Sequence, residues 1–370
     1  MAKRVSVAIQ DIHPKTLAVG VYTPYVKISS AENYYEEFLS LIKTLGMHYD
    51  ETYFTKVRAV DTNTFFTKGK LEELKLICDQ KQIEVIIFSE TLNPLQERNL
   101  EDVLDCSIMD REQLILEIFK KSAHTAEGKI QVEMAEVQFL KTRIIGKGVE
   151  YSQQLGVIGT KGPGETATEK MRQVFADRLR QAKQKLETLQ KARDNQRKRR
   201  LSSNIPNLCI VGYTNSGKSS LLNMLTKSTI LAEDKLFVTL DTTTREFYIG
   251  GKTKILVSDT VGFISQLPHK LVEAFRSTLD ELKYANLLLH VVDSSNAEWR
   301  SQINVVNDTI KELGVEKPVL YVFNKMDKLS DEELEQLQKE IIDYQPHVLI
   351  HTQSKDGVTQ LVNYLMNYKF

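Results

Sequence analysis

Over the first third of the chain, short apolar runs alternate with stretches whose apolar residues sit three and four apart. The runs lie at residues 5–9, 53–60, 83–88 and 107–109, and the helix-spaced stretches at 33–45, 70–80, 95–104 and 111–122. Strand and helix in alternation predict a small α/β domain, taken as residues 1–127. The spacing then changes. Ile130, Met134, Val137 and Leu140 repeat at helical intervals, as do Met171, Phe175, Leu179, Ala182, Leu186 and Leu189. Two long amphipathic helices folded back on each other account for both sets and define a hairpin over 128–203. Gly146, Gly148, Gly156, Gly159, Gly162 and Gly164 crowd the stretch between them. So much glycine predicts a non-helical break, either a flexible tip or a projecting loop whose bare backbone meets a ligand. Beyond Asn207 the apolar runs become near-continuous, at 208–211, 254–257, 287–292, 319–323 and 348–350, with a closing helix at about 358–368. Strands buried on both faces read this way, so residues 204–370 predict a mostly parallel sheet with helices on both faces.

Composition changes this picture little. The 370 residues carry 49 basic and 49 acidic side chains, so net charge favours no partner, and Cys78, Cys106 and Cys209 have neither metal-ligand spacing nor the even count of a disulfide framework. The chain opens without the apolar core of a signal peptide, and no apolar run approaches the roughly 20 residues of a membrane span, so the expected setting is cytoplasmic. Local charge says more. From Glu169 to Arg200 the second hairpin helix has twelve basic against four acidic residues and ends Arg197-Lys198-Arg199-Arg200. Such a surplus in a neutral protein points to a polyanion, since phosphate contacts supply most nonspecific nucleic-acid affinity.

The chemistry is concentrated after residue 207. Gly212-Tyr213-Thr214-Asn215-Ser216-Gly217-Lys218-Ser219 follows a strand and opens a helix, as a P-loop does, with Ser220 next in the same cradle. Its backbone N–H groups wrap a phosphate, Lys218 reaches the β- and γ-phosphates, and the Ser219 hydroxyl suits Mg²⁺. Asp259-Thr260-Val261-Gly262 ends the next apolar run, where a carboxylate holds Mg²⁺ and a glycine N–H senses the γ-phosphate. Asn324-Lys325-Met326-Asp327 selects guanine, because Asp327 accepts from N1–H and N2–H₂, while adenine would leave that carboxylate unpaired. The segment Leu236-Phe237-Val238-Thr239-Leu240-Asp241-Thr242-Thr243-Thr244-Arg245 offers several threonines as a nucleotide-sensing loop, and His351-Thr352-Gln353 follows the last strand as a base-contacting loop. Three motifs in order imply GTP binding and hydrolysis to GDP, with Lys218 and Gly262 as catalytic candidates. Phe263 stands where Ras-like GTPases place a water-orienting glutamine, so slow unaided turnover is expected. A nucleotide-binding protein that hydrolyses little is a competing reading, disfavoured by intact Lys218, Ser219, Asp259 and Asp327. An RNA-remodelling ATPase conflicts with Asp327 and with the lack of a second motor domain.

Outside these motifs the chain resembles the HflX GTPases, relatives of the Obg group, over nearly its whole length. Ile158-Gly159-Thr160-Lys161-Gly162-Pro163-Gly164-Glu165-Thr166 is similar to the family's hallmark loop, and Leu92-Asn93-Pro94-Leu95-Gln96-Glu97-Arg98-Asn99-Leu100-Glu101 and Thr67-Lys68-Gly69-Lys70-Leu71-Glu72-Glu73-Leu74 to two further stretches. Asn93, Thr242, Gln154-Leu155-Gly156 and His351-Thr352 depart from the family pattern. The resemblance implies that Thr239, with Thr243 as the runner-up, joins Ser219 and Asp259 on Mg²⁺, and that Thr239 acts in catalysis. It further implies a cytoplasmic factor that binds the large ribosomal subunit and its ribosomal RNA, not DNA, and splits or rescues ribosomes.

Overall fold

A computed structural model describes residues 13–25, 30–154, 167–202, 205–226, 236–237, 240, 243–250, 253–268, 271, 275 and 279–370. The first sheet is built from β1 (Thr16–Tyr22), β2 (Glu51–Lys56), β3 (Val85–Phe88) and β4 (Ser107–Met109), all parallel in the order β2-β1-β3-β4. Parallel neighbours need crossovers, and α1 (Ala31–Leu45), α2 (Lys68–Lys81) and α3 (Pro94–Leu104) supply them, with α4 (Arg111–Ser122) following β4. Phe38, Leu41 and Ile42 of α1 pack with Leu114 to Phe119 of α4 on one face, against Ala18 and Ile87. Leu74, Cys78, Leu100 and Leu104 of α2 and α3 cover the other. Side-chain caps set the helix starts: Ser30 for α1, Asp110 for α4, and an Asn93–Gln96 capping box for α3. β1 is buried over six of its seven residues and is a central strand that the apolar-run reading passed over. The strand expected at residues 5–9 lies outside the described residues.

Next come α5 (Ala126–Gln154) and α6 (Ala167–Ser202), joined by contacts among Val137, Leu140, Met171, Phe175 and Leu179, the expected hairpin seam. One expectation is corrected here: the break does not begin at Gly146, because α5 runs through Gly146 and Gly148. A glycine costs a helix interior about 1 kcal/mol without forbidding it, and in a helix of 29 residues the neighbours carry that cost. The rest of the glycine-rich loop, residues 155–166, lies outside the described residues. Arg143 ties α5 to the first domain. Its guanidinium donates to Glu97 at 2.5 Å and Asp110 at 2.8 Å and lies 3.6 Å from the Phe139 ring centroid.

The second sheet has the order β10-β9-β8-β5-β7-β6, formed by β5 (Asn207–Gly212), β6 (Thr243–Ile249), β7 (Thr253–Asp259), β8 (Leu287–Asp293), β9 (Val319–Asn324) and β10 (His347–Leu349). Only β6 is antiparallel; its polar start, Thr243-Thr244-Arg245-Glu246, hides it from an apolar-run reading. Leu221 and Leu222 of α7 (Lys218–Thr226) and Leu361 and Leu365 of α10 (Thr359–Asn367) pack on one face. Val306 and Ile310 of α8 (Trp299–Glu312) pack on the other, and Leu337 of α9 (Asp331–Glu340) joins a cluster around Trp299 and Phe323. The chain leaves β5 for one side of the sheet and returns to β8 on the other, so a crevice opens at the carboxyl end of β5.

Candidate nucleotide-binding site

The buried strand β5 delivers its last residue, Gly212, to that crevice. From there the chain turns through Asn215 (φ +61°) and Gly217 (φ +95°) into α7. Gly217 admits no side chain: a Cβ there would lie 2.2 Å from Asn324 Nδ2. That contact is part of how the loop is held, because Asn324 Nδ2 donates to Ser216 O at 3.0 Å, while Lys325 Nζ donates to Asn215 O at 2.8 Å and to Asp293 Oδ2 at 2.6 Å. The motif read as guanine-selecting therefore also braces the phosphate loop. The first turn of α7 starts at this crevice, where the N–H groups of a helix start favour an anion. Lys218 is buried there and donates to Tyr213 O at 2.6 Å. Burial drops its ammonium to about 8, Asp259 opposing and Lys325 adding to the shift. A cation so poorly solvated gains most from an arriving anion. Next to it, Ser219 Oγ donates to Asp259 Oδ2 at 2.9 Å, and Ser220 follows half-buried.

Asp259 ends β7 fully buried, and Thr260 Oγ1 fastens the following turn to Ile210 O at 2.8 Å. Val261 is buried, and Gly262 lies so close to the P-loop that a Cβ would be 3.0 Å from both Lys218 Nζ and Thr214 Cγ2. Phe263 N donates to Gly212 O at 3.2 Å and Thr214 N to Phe263 O at 2.7 Å, so the two loops are joined through main chain. The Phe263 ring is buried in the apolar cluster that contains Phe119 and Phe275. Phe237 and Leu240 enter the same cluster, Phe119 meeting Phe237 at 4.8 Å and Phe275 at 4.9 Å edge-on. Their side chains are used in packing, leaving main chain as what they offer a nucleotide. Val238, Thr239 and Asp241 lie outside the described residues.

At the base end, Lys325 (φ +64°) turns the chain out of β9 into a short turn, Met326–Lys328. Asp327 is exposed there, with no hydrogen bond or ion pair among the described residues. Met326 N donates to Ile350 O at 3.3 Å, which places His351 and Thr352, both half-buried, and exposed Gln353 alongside. His351 N bonds Gly357 O at 3.2 Å, so the loop is shaped by its own backbone.

Comparison with known proteins agrees with this arrangement. Residues 32–120 match a family described as GTP-binding GTPase N-terminal, 122–200 one described as GTP-binding GTPase Middle Region, and 207–325 one described as 50S ribosome-binding GTPase. GTPase HflX of Lacrimispora saccharolytica is 40% identical over 360 residues, spanning 97% of this chain and 84% of the relative. This chain belongs to the HflX GTPase family. GTPase HflX of Escherichia coli is 37% identical over 88% of this chain and 76% of its own length. The crystal structure of a protein named SsGBP, in complex with GDP, is 26% identical, with a TM-score of 0.50 over 95% of this chain and 99% of that one. The chain is thus a GTP-binding protein that hydrolyses GTP.

What sequence reasoning missed in this HflX protein is how the first domain reaches the GTP site. Tyr213, second residue of the P-loop, donates its hydroxyl to Glu37 of α1 and accepts from Ser265 N at 2.7 Å. Arg111 of α4, fully buried, donates to Glu37 Oε1 at 2.8 Å and Ser265 O at 2.9 Å. Tyr34 of α1 bonds Glu90 and reaches Gln266 Oε1 at 3.3 Å. Burial raises both carboxyls, Glu90 to about 7. No local motif marks these residues; the partners lie up to 232 positions apart.

Proposed function

We propose that this HflX GTPase is a nucleotide-controlled factor, organised as residues 1–127, 128–203 and 204–370, that binds the large ribosomal subunit and splits or rescues ribosomes in the cytoplasm. The observation that carries the reading is α6. A helix of 36 residues whose side chains from Glu169 to Arg200 include twelve bases and four acids, preceding a GTP-hydrolysing domain in the chain, fits ribosomal RNA phosphates. The match of residues 207–325 to a family described as 50S ribosome-binding GTPase supports the same partner.

In the GTP site, N–H groups of Asn215 to Ser219 take the phosphates, Lys218 bridges the β- and γ-phosphates, and Gly262 N–H meets the γ-phosphate. Asp327 reads guanine, beside the main chain of His351, Thr352 and Gln353. The residues present suit Mg²⁺. Ser219 Oγ and Asp259 Oδ2 converge at 2.9 Å as hard oxygen donors, and Thr239 is the third candidate. Bound there, Mg²⁺ would neutralise charge on the β- and γ-phosphate oxygens. Because Phe237, Phe263 and Phe275 pack with Phe119, loss of the γ-phosphate is felt at the face of the first domain.

Two measurements test the reading: co-sedimentation with large subunits in GDP and in a non-hydrolysable GTP analogue, and GTP turnover with and without those subunits. Binding favoured by the GTP analogue, with turnover accelerated by subunits, is expected. Equal binding in both nucleotides, or a subunit-independent rate, would overturn it.

A further inference from the structure

We propose that the Thr214 hydroxyl is the side-chain group that orients the attacking water during GTP hydrolysis, a proposal that rests on the GTP-site reading above. The position that would carry an orienting glutamine holds Phe263, whose ring is 2% exposed inside the apolar cluster and has nothing to offer a water. Thr214 faces the same loop from the other side. It is 5% exposed, and its Oγ1 has no hydrogen-bond partner among the described residues. Leaving a buried hydroxyl unpaired is unfavourable, so the site gains when an occupant pairs with it.

Position selects Thr214 from the other unpaired groups nearby. A Cβ on Gly262 would sit 3.0 Å from Lys218 Nζ, 3.0 Å from Thr214 Cγ2 and 3.1 Å from Thr214 Cα, so Thr214 meets Gly262 and Lys218 in close contact through its methyl and main chain, with Oγ1 borne on the same Cβ as that methyl. Ser216 Oγ and Asn324 Oδ1 are also unpaired. Ser216 Oγ, however, lies 3.0 Å from the corresponding point on Gly212, toward β8, and the Asn324 amide is committed to Ser216 O. Of the three, Thr214 alone adjoins Gly262.

A threonine hydroxyl accepts one hydrogen bond from water while donating another to a phosphate oxygen. The water oxygen bonds to the γ-phosphorus as the bond from γ-phosphorus to the β–γ bridging oxygen breaks. That electron pair stays on GDP, and the water's proton ends on inorganic phosphate. Thr214 gives up no proton in the balance; it fixes direction. Positioning a reactant in this way contributes through orientation.

The test compares Thr214→Val, which keeps shape and removes the hydroxyl, with Thr214→Ser, which keeps the hydroxyl. Single-turnover GTP hydrolysis and GTP and GDP affinities are measured on the full chain, alone and with large subunits. At least a tenfold fall in hydrolysis rate in the valine variant, with affinities within twofold of wild type and the serine variant near wild type, is expected. A valine variant hydrolysing at the wild-type rate overturns the proposal, as does a valine variant that loses affinity instead of rate, or a serine variant as slow as valine. Failure of the underlying site reading would look different: the wild-type chain and both variants would all bind GTP no better than ATP.

Discussion

Single side chains at the two ends of the GTP site lead to opposite expectations. Asp327 is exposed and unpartnered among the described residues, so Asp327→Asn should leave the fold intact and remove only the acceptor proposed for two guanine donors. Charged hydrogen bonds of that kind are worth about 1.5–3 kcal/mol, so GTP affinity should fall roughly ten- to hundredfold. Xanthosine triphosphate, whose C2 carbonyl accepts from the new amide, should bind the variant better than the parent; titration of both nucleotides checks it. Phe263 is the reverse case. Its ring fills an apolar cluster, so Phe263→Gln should not restore a water-orienting group. It should cost roughly 3 kcal/mol or more in stability, from poorer packing and a buried amide, with no gain in turnover. Urea unfolding and a GTPase assay decide, and a faster, equally stable variant would refute the placement of that ring.

Elements were legible where one physical signal sufficed. Ser107–Met109 and Arg111–Ser122 match their expected bounds because an apolar run or a capped amphipathic stretch is a local property. β6 was missed because a polar edge strand has neither signal, and β1 because its Gly20 interrupts the run. α5 outran its expected end because a glycine's penalty is weak enough for a helix of 29 residues to continue through Gly146 and Gly148. The P-loop, Asp259 and Asp327 stand out in the sequence because phosphate and guanine recognition demand fixed spacings, and the structure brings Ser219 to Asp259 and Asn324 to the P-loop. α6 carries its own expectation. Charge reversal at Arg197, Lys198, Arg199 and Arg200 should weaken ribosome binding and flatten its salt dependence by about 0.7–0.9 in log–log slope for each phosphate no longer neutralised. GTP turnover without ribosomes should stay near wild type. Binding assayed from low to high salt checks this, and an unchanged slope would reduce the basic run to a solvated helix face.

At the scale of the whole molecule, the GTP site and the first domain share one apolar core and one buried polar seam, which no local pattern could reveal. Along that seam the Tyr34 hydroxyl has a single proton and three acceptors around it: Ser89 O, Gln266 Oε1 and Glu90 Oε1. A protonated Glu90 supplies the missing donor, and burial, opposed by the bond to Tyr34 and by the charge of Arg111, lifts its carboxyl from 4.5 to about 7. Between those two values the folded chain holds a proton that the unfolded chain has released, so this group's contribution to stability is full below about 4.5 and falls as pH rises to about 7. The decline across that window is on the order of 3 kcal/mol. Glu90→Gln keeps a neutral donor at every pH and should remove this share of the dependence. Glu37 and Asp110, also raised by burial, titrate in both proteins and cancel in the comparison. Thermal unfolding at pH 5, 6, 7 and 8 should therefore show the glutamine variant gaining on wild type as pH rises, with the gap level above pH 7. Parallel curves would mean that Glu90 is ionised throughout and that Tyr34 alone holds the seam.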